Sequence, residues 1–132
     1  MQGLLKKFLS NNKLGTCMHQ PVPDVSRFDV ERIVHREFGD ANASRALAIL
    51  DEYKSDSGSA SRVQLAVLKL AAGDIVVLKR EIETAKLDYR DVLAYAEYPR
   101  YTREIGFHDV QESLKQVVID DDWRQYDSWL RR

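Results

Sequence analysis

Three short junctions in the middle of the chain limit most strongly what it can fold into: Ser61-Arg62-Val63-Gln64, Ala72-Gly73-Asp74 and Asp88-Tyr89-Arg90-Asp91. In the first and third, an N-cap residue is followed three positions later by a side chain that can reach back to it. In the second, glycine is typical of a helix end, and the aspartate after it is typical of the next helix start. The junctions therefore predict three consecutive helices joined by very short turns.

The rest of the chain carries further helix signals and no strand pattern. Apolar side chains recur at helical spacing, without sustained alternation and without an Asn-Gly or Asp-Gly hairpin signal. The further predicted boundaries are a helix from Ser26 to Gly39, one from about Asn42 to Tyr53, irregular chain over 99–108, a helix opening at Asp109 and Glu112, and a new helix after Asp120-Asp121-Asp122. We predict an all-α fold, an irregular bundle of about six or seven short helices arranged as antiparallel hairpins.

Composition indicates one compact domain. The chain has 132 residues, of which 44% are hydrophobic and 31% charged, enough for a single core. Residues 24–132 are predicted to form the single all-α domain, and residues 1–23 an N-terminal arm or a short amphipathic helix. The apolar face of that segment consists of Leu4, Leu5, Phe8 and Leu9. Packing on the domain, fraying, and binding to a membrane surface or partner are three open roles for it.

The charge, hydropathy and cysteine content argue against a nucleic-acid partner, a membrane span and an oxidising compartment. The formal net charge is −1 and the pI is about 6.3, unlike the basic balance of proteins that bind nucleic acid. No apolar run approaches the roughly 20 residues of a membrane-spanning helix. The lone Cys17 cannot form an internal disulfide, which favours a reducing compartment. We therefore predict a cytoplasmic protein that binds neither nucleic acid nor a membrane.

The sequence contains no catalytic, cofactor or metal motif. None of His19, His35 and His108 lies three or four residues from another histidine or cysteine, so zinc-ligand spacing is absent. There is no glycine-rich phosphate loop and no metalloprotease signature. The run Asp120-Asp121-Asp122 offers oxygen ligands, but consecutive acids do not converge as in a calcium loop. We expect no catalytic residue, no cofactor and no metal, and we favour a protein that is not an enzyme.

The densest group of aromatic and charged residues lies between residues 88 and 101. Tyrosine and arginine are enriched at protein interfaces because each combines contact area with a polar tip. The same group also has a purely structural interpretation. In that interpretation Tyr89 packs inward, Asp88 and Asp91 cap a helix, and Glu97 pairs with Arg100 at the surface.

Other residues add to this candidate surface. Val76 and Val77 give the predicted helix more apolar residues than a single buried face requires. Burying them against a second copy of the chain would make a homodimer. Trp129 points away from the apolar face of its own helix, which leaves it for a partner or an adjacent loop. The complete candidate interaction surface is Val76, Val77, Arg90, Tyr95, Glu97, Tyr98, Arg100, Tyr101 and Trp129.

A resemblance covers part of the chain. The segments Leu70-Ala71-Ala72-Gly73-Asp74 and Asp88-Tyr89-Arg90-Asp91-Val92-Leu93-Ala94-Tyr95-Ala96-Glu97-Tyr98-Pro99 carry it. The stretch 62–100 that contains them resembles a small family of uncharacterised bacterial proteins. The resemblance implies an all-α fold in a bacterial, cytoplasmic setting, and it implies no activity.

These observations favour a small cytoplasmic protein-interaction or accessory module, whose partner is another protein or a second copy of the chain. The alternative is a small-molecule-binding protein or enzyme with a pocket near Arg90, Asp91, Glu97 and Tyr98. That alternative requires the four side chains to converge on a concave site where at least one pKa is shifted.

Overall fold

Six helical segments make up the described part of the chain. The computed structural model describes residues 19–54, 60–105 and 110–132. The helices are α1 (Arg27–Phe38), α2 (Asp40–Leu50), α3 (Ala60–Ala71), α4 (Ile75–Glu97), a π-helix (Tyr101–Ile105) and α5 (Glu112–Arg131). These described ranges contain no strand, so the prediction of an all-α bundle is confirmed. The predicted apolar face at residues 4–9, Cys17, residues 55–59, His108 and Asp109 lie outside the described residues.

Helix α1 begins and ends where the sequence predicts. The Asp29 carboxylate accepts a hydrogen bond from the Ser26 backbone N–H at 2.9 Å, and the two residues form a capping box. Gly39 ends the helix with φ of 79°, in the region that favours glycine. The stripe that α1 buries is Val30, Ile33, Val34 and Phe38.

Gly39 also opens α2, so that helix starts at Asp40 instead of Asn42 and ends at Leu50 instead of Tyr53. Its end is held by Gln64, whose side-chain N–H donates to the Leu50 carbonyl at 2.9 Å. The predicted Ser61–Gln64 capping box is therefore wrong. Helix α3 already begins at Ala60, and the buried Gln64 side chain satisfies the preceding helix instead of its own.

The turn between α3 and α4 matches its prediction closely. Ala72 and Gly73 both have positive φ, 49° and 82°, which reverses the chain within two residues. The Asp74 carboxylate then accepts hydrogen bonds from the backbone N–H groups of Val76 at 2.8 Å and Val77 at 3.3 Å. Helix α3 is buried almost all round, as expected of a central helix: residues 63–68 are all buried.

The predicted fourth and fifth helices are one element with a kink. Helix α4 runs from Ile75 to Glu97, and Asp88 inside it has extended backbone, with φ of −157° and ψ of 97°. The Asp88 carboxylate accepts the Arg90 backbone N–H at 3.0 Å, so it caps the second half of the helix as predicted. A cap that lies inside a continuous element gives a kink instead of a break.

Helix α5 passes without interruption through Asp120-Asp121-Asp122, so the prediction of a new helix there is wrong. Asp122 is buried, and its carboxylate accepts the Tyr101 backbone N–H at 2.8 Å. Burial raises the pKa of Asp122, and backbone donors at Tyr101 and Arg100 oppose the shift. The acid caps the start of the π-helix, which occupies part of the stretch predicted to be irregular.

Polar side chains of α1 attach the end of α5 to the bundle. Arg32 donates to the Leu130 carbonyl at 2.7 Å, and Arg36 donates to the Trp129 carbonyl at 2.8 Å. Cations at this position are favourable because the last carbonyls of a helix lack partners and carry partial negative charge. Ahead of α1, the backbone of His19 exchanges two hydrogen bonds with the Gln116 side chain on α5, at 3.0 and 2.8 Å.

Replacing Gly73 with alanine should lower the free energy of unfolding by about 1 kcal/mol or more. The backbone there is left-handed, and a new Cβ would lie 3.1 Å from the Glu37 carbonyl oxygen. Urea unfolding measures the loss. Lys79→Ala, at an exposed position of α4, is the control and should shift the free energy by less than about 0.5 kcal/mol. An unchanged value for Gly73→Ala would contradict this account of the turn.

Candidate functional site

The nine residues of the candidate interaction surface do not lie on one surface. Val76, Arg90, Tyr95 and Arg100 are exposed, Val77 and Tyr101 are half-buried, and Glu97, Tyr98 and Trp129 are buried. The exposed members lie on α4 and just after it. The cluster of tyrosine and arginine in the sequence therefore corresponds to an exposed region in part, but it also contains the buried residues Glu97 and Tyr98.

Trp129 belongs to the core, so the expectation that it is left for a partner or loop is wrong. Its ring stacks on Tyr126 with centroids 5.5 Å apart, and the Arg36 guanidinium lies 5.1 Å from the ring centroid. Only 7% of the residue is exposed. Helical spacing within α5 gave no sign of this burial, because the neighbour that covers Trp129 comes from α1.

A buried ion pair joins α3 to the end of α4. Arg62 donates two hydrogen bonds to the Glu97 carboxylate, at 2.9 and 2.8 Å, and Glu97 is only 1% exposed. This bidentate geometry raises the pKa of Arg62. The predicted surface pairing of Glu97 with Arg100 is wrong. Arg100 instead contacts Glu104 at 3.1 Å.

Two tyrosines surround this pair. The Tyr126 hydroxyl is buried and has no hydrogen-bond partner among the described residues, and burial raises its pKa. The Tyr98 hydroxyl donates to the Pro21 carbonyl, and burial raises its pKa as well. The arrangement satisfies a buried carboxylate and ties three parts of the chain together. Its chemistry is that of a structural network.

The alternative pocket near Arg90, Asp91, Glu97 and Tyr98 does not form around those four residues. Arg90 and Asp91 are exposed, and Arg90 donates to the Asp88 carboxylate at 2.9 Å. Glu97 and Tyr98 are buried and engage Arg62 and Pro21, as described above. Since the four side chains separate into a surface pair and a core pair, they do not build the concave site that this hypothesis requires.

The kink in α4 instead creates a shallow depression with exposed apolar side chains beside it. Leu87 is 89% exposed and Tyr89 is 45% exposed. The depression has a volume of about 430 Å³ and is lined by Tyr53, Lys54, Ala85, Lys86, Leu87, Asp88, Tyr89 and Arg90. We call Tyr53, Lys54, Leu87, Tyr89 and Arg90 the kink face. Tyr89 and Arg90 belong to the group of aromatic and charged residues that the sequence singles out. The expectation that Tyr89 packs inward is wrong, and Leu87 is not among the predicted residues.

Charged residues around the kink face are mostly paired with each other. Lys86 contacts Glu52 at 3.1 Å and Glu83 at 2.9 Å, and Arg90 pairs with Asp88. Burial raises the pKa of Tyr53, and the nearby Tyr89 adds to the shift. The kink face therefore presents leucine and two tyrosines within a rim of locally balanced charge. Such a surface offers apolar contact area and tyrosine hydroxyls, without a strong field of one sign.

Within the described ranges, no group of three or more His, Cys, Asp or Glu side chains is placed to hold a metal ion. His35 is exposed, and its Nδ1 lies 2.6 Å from the Asp40 carboxylate. Of the three consecutive acids in α5, Asp122 caps the π-helix and Asp121 pairs with Arg124 at 2.9 Å. These acids act in helix capping and surface pairing.

Comparisons with known protein families, with curated proteins and with solved structures found no match to the chain. The resemblance of residues 62–100 to a bacterial family therefore stays a prediction. No helix in the described part of the chain is long and apolar enough to cross a membrane.

Methionine at either member of the Arg62–Glu97 pair should lower the free energy of unfolding by about 3 kcal/mol, because the remaining charge stays largely buried without its partner. Changing both residues together should cost much less than the sum of the single changes. Urea unfolding of the four proteins in this double-mutant cycle measures the coupling.

The exposed pair Arg100 and Glu104, with side chains 49% and 57% exposed, is the matched control. Its coupling energy should stay below about 0.5 kcal/mol. Additive losses at Arg62 and Glu97 would contradict the assigned role of the buried pair.

Proposed function

We propose that this protein is a cytoplasmic protein-interaction module that binds its partner through the kink face. The observation that carries the proposal is the exposure of Leu87, 89% accessible beside the exposed Tyr89 and a depression of about 430 Å³. The lone cysteine, the pI of about 6.3 and the resemblance to bacterial proteins support the cytoplasmic setting and a protein partner in preference to nucleic acid.

The energetics of the kink face favour a bound partner. Covering a fully exposed leucine contributes about 2 kcal/mol, and tyrosines add contact area with little loss of side-chain freedom. Leucine and tyrosine beside a depression resemble the central anchors of protein interfaces, and the paired charges of Lys86 and Arg90 resemble their polar rim.

The partner that fits this surface inserts an apolar or aromatic side chain into the depression. Its backbone carbonyls or carboxylates accept hydrogen bonds from the hydroxyls of Tyr53 and Tyr89. Because the charges around the kink are already paired, the partner needs no strong net charge of its own.

A homodimer is the second candidate, and the outer face of α4 favours it. Val76, which is 72% exposed, and Leu87 lie about three turns apart on the same side of the helix. Arg80 and Glu83 lie between them. In an antiparallel pair of α4 helices, Val76 would face the partner's Leu87 and Arg80 would face the partner's Glu83, which is a self-complementary arrangement. Val77, the other valine named for a homodimer, packs against the core of its own chain.

Photo-crosslinking in cells tests the proposal. With p-benzoylphenylalanine in place of Tyr89, we expect one dominant protein adduct that is absent when the probe replaces Ser44, an exposed position of α2. Adding Leu87→Ser should reduce the yield about tenfold, because the apolar anchor is lost. Val76→Ser is the matched control and should leave the yield unchanged.

Thermal unfolding should show that both serine variants keep their stability, because the replaced side chains are exposed. An adduct of twice the chain mass that is lost in both variants would identify the homodimer. Equal labelling from Tyr89 and Ser44 would contradict the kink face as a binding surface.

A further inference from the structure

A second depression lies between the end of α3 and the last three turns of α5. Its volume is about 540 Å³, and it is lined by Lys69, Asp121, Arg124, Gln125, Ser128, Trp129 and Arg132. We call it the Lys69 pocket. It shares no lining residue with the kink face, so its function is independent of the proposed protein interaction.

Lys69 is a half-buried cation of this pocket that forms no ion pair with the described residues. Its side chain is half-buried, and its ammonium lies 5.9 Å from the centroid of the Tyr126 ring. It makes no hydrogen bond or ion pair with any residue in the described ranges. Burial lowers the pKa of Lys69, Asp122 opposes that shift, and Arg132 adds to it. A half-buried cation without an ion-pair partner costs folding free energy, and its ammonium is available to an anionic ligand.

The other charges of the pocket leave an excess of positive charge. The one acidic side chain of the lining, Asp121, already contacts Arg124 at 2.9 Å and Arg100 at 3.6 Å. The Arg132 guanidinium, like the ammonium of Lys69, forms no ion pair with the described residues. The pocket therefore contains two cations that form no ion pair with the described residues, and the opposing charge that acts on Lys69 is the buried Asp122.

Neutral donors line the same wall of α5. The Ser128 hydroxyl and the Gln125 amide are on exposed residues of the pocket lining. Together with Lys69 and Arg132 they supply donors from two different helices and the segment that follows α5. Donors carried by separate elements can contact several oxygens of one bound anion.

We propose that the Lys69 pocket binds a small phosphate monoester, whose phosphoryl group lies between Lys69 and Arg132. Charge favours this ligand class: a phosphate monoester bears about −1.5 to −2 at neutral pH, so its oxygens can pair with the Lys69 ammonium and the Arg132 guanidinium at the same time. A carboxylate neutralises only one of them. The remainder of the ligand extends towards solvent along Gln125 and Ser128.

NMR titration of the full chain tests this site. We expect glycerol 3-phosphate to cause saturable shifts in the Ser128 amide and the Trp129 indole N–H, with affinity about tenfold tighter than that of acetate. Inorganic phosphate should bind at the same residues, since the phosphoryl group is the part recognised. Lys69→Met should weaken phosphate-ester binding about tenfold or more, because it removes one of the two cations.

Lys79→Met, at an exposed lysine on α4, is the matched control and should bind glycerol 3-phosphate as the unmodified protein does. The Lys69→Met protein should also melt at a higher temperature at pH 7. The lowered pKa of Lys69 means that the folded state holds this proton less tightly than the unfolded state, so removing the charge relieves that cost. Leu87→Ser should leave binding unchanged, which separates this site from the kink face.

Three results would overturn the proposal. Shifts that do not saturate by about 10 mM, or that persist unchanged in Lys69→Met, would mean an adventitious ion only. Equal affinity for acetate and glycerol 3-phosphate would exclude the phosphate monoester as the ligand class.

Discussion

The buried pair of Arg62 and Glu97 determines how the central helices of this protein fit together. A carboxylate that is 1% exposed is tolerated only where a partner neutralises it, and a single alignment of α3 with the end of α4 brings Arg62 within 2.9 Å. The kink at Asp88 allows Glu97 to reach Arg62. Arg62 lies 11 residues before the Gly73 turn, so its level on α4 is near residue 84. Since each helical residue adds 1.5 Å, a straight α4 would carry Glu97 roughly 20 Å beyond that level. Bending the helix returns Glu97 to the start of α3.

The exposed apolar surface follows from this bend. Leu87 and Tyr89 lie on either side of Asp88, the residue with extended backbone. Both are exposed, because the chain at the kink does not pack against the core. Leu78, Ile82 and Ala85 before the kink, and Val92 and Ala96 after it, are all buried. The kink face is thus a local interruption in an otherwise regular buried stripe, produced by the geometry that the core ion pair requires.

Caps and turns formed by neighbouring residues were predictable from the sequence, and the hydrogen-bond partners of polar side chains on other helices were not. The capping box at Ser26, the glycine turn before Asp74 and the cap at Asp88 depend on neighbours a few positions away, and the structure contains all three. Gln64 and Asp122 have side chains typical of caps, but they cap α2 and the π-helix instead of their own helices.

The long-range partners of core side chains were not predictable. Glu97 pairs with Arg62, which is 35 residues away in the sequence, and Trp129 contacts Arg36, which is 93 residues away. Periodicity within one helix carries no information about contacts at that range. The same limit explains why the Lys69 pocket, built from α3 and the end of α5, was not found.

The two arginines of α1 that hold the end of α5 have a consequence for how the protein is made. Arg32 and the Leu130 carbonyl are 98 residues apart in the chain, and Arg36 and the Trp129 carbonyl are 93 residues apart. During synthesis on the ribosome, α1 emerges before α5, so these two hydrogen bonds cannot form until α5 has left the exit tunnel. The α3–α4 hairpin, whose contacts are local, can assemble well before that point. Closure of the bundle between its first and last described helices is therefore a late, long-range step, in which the nascent chain exposes apolar side chains that the finished protein covers.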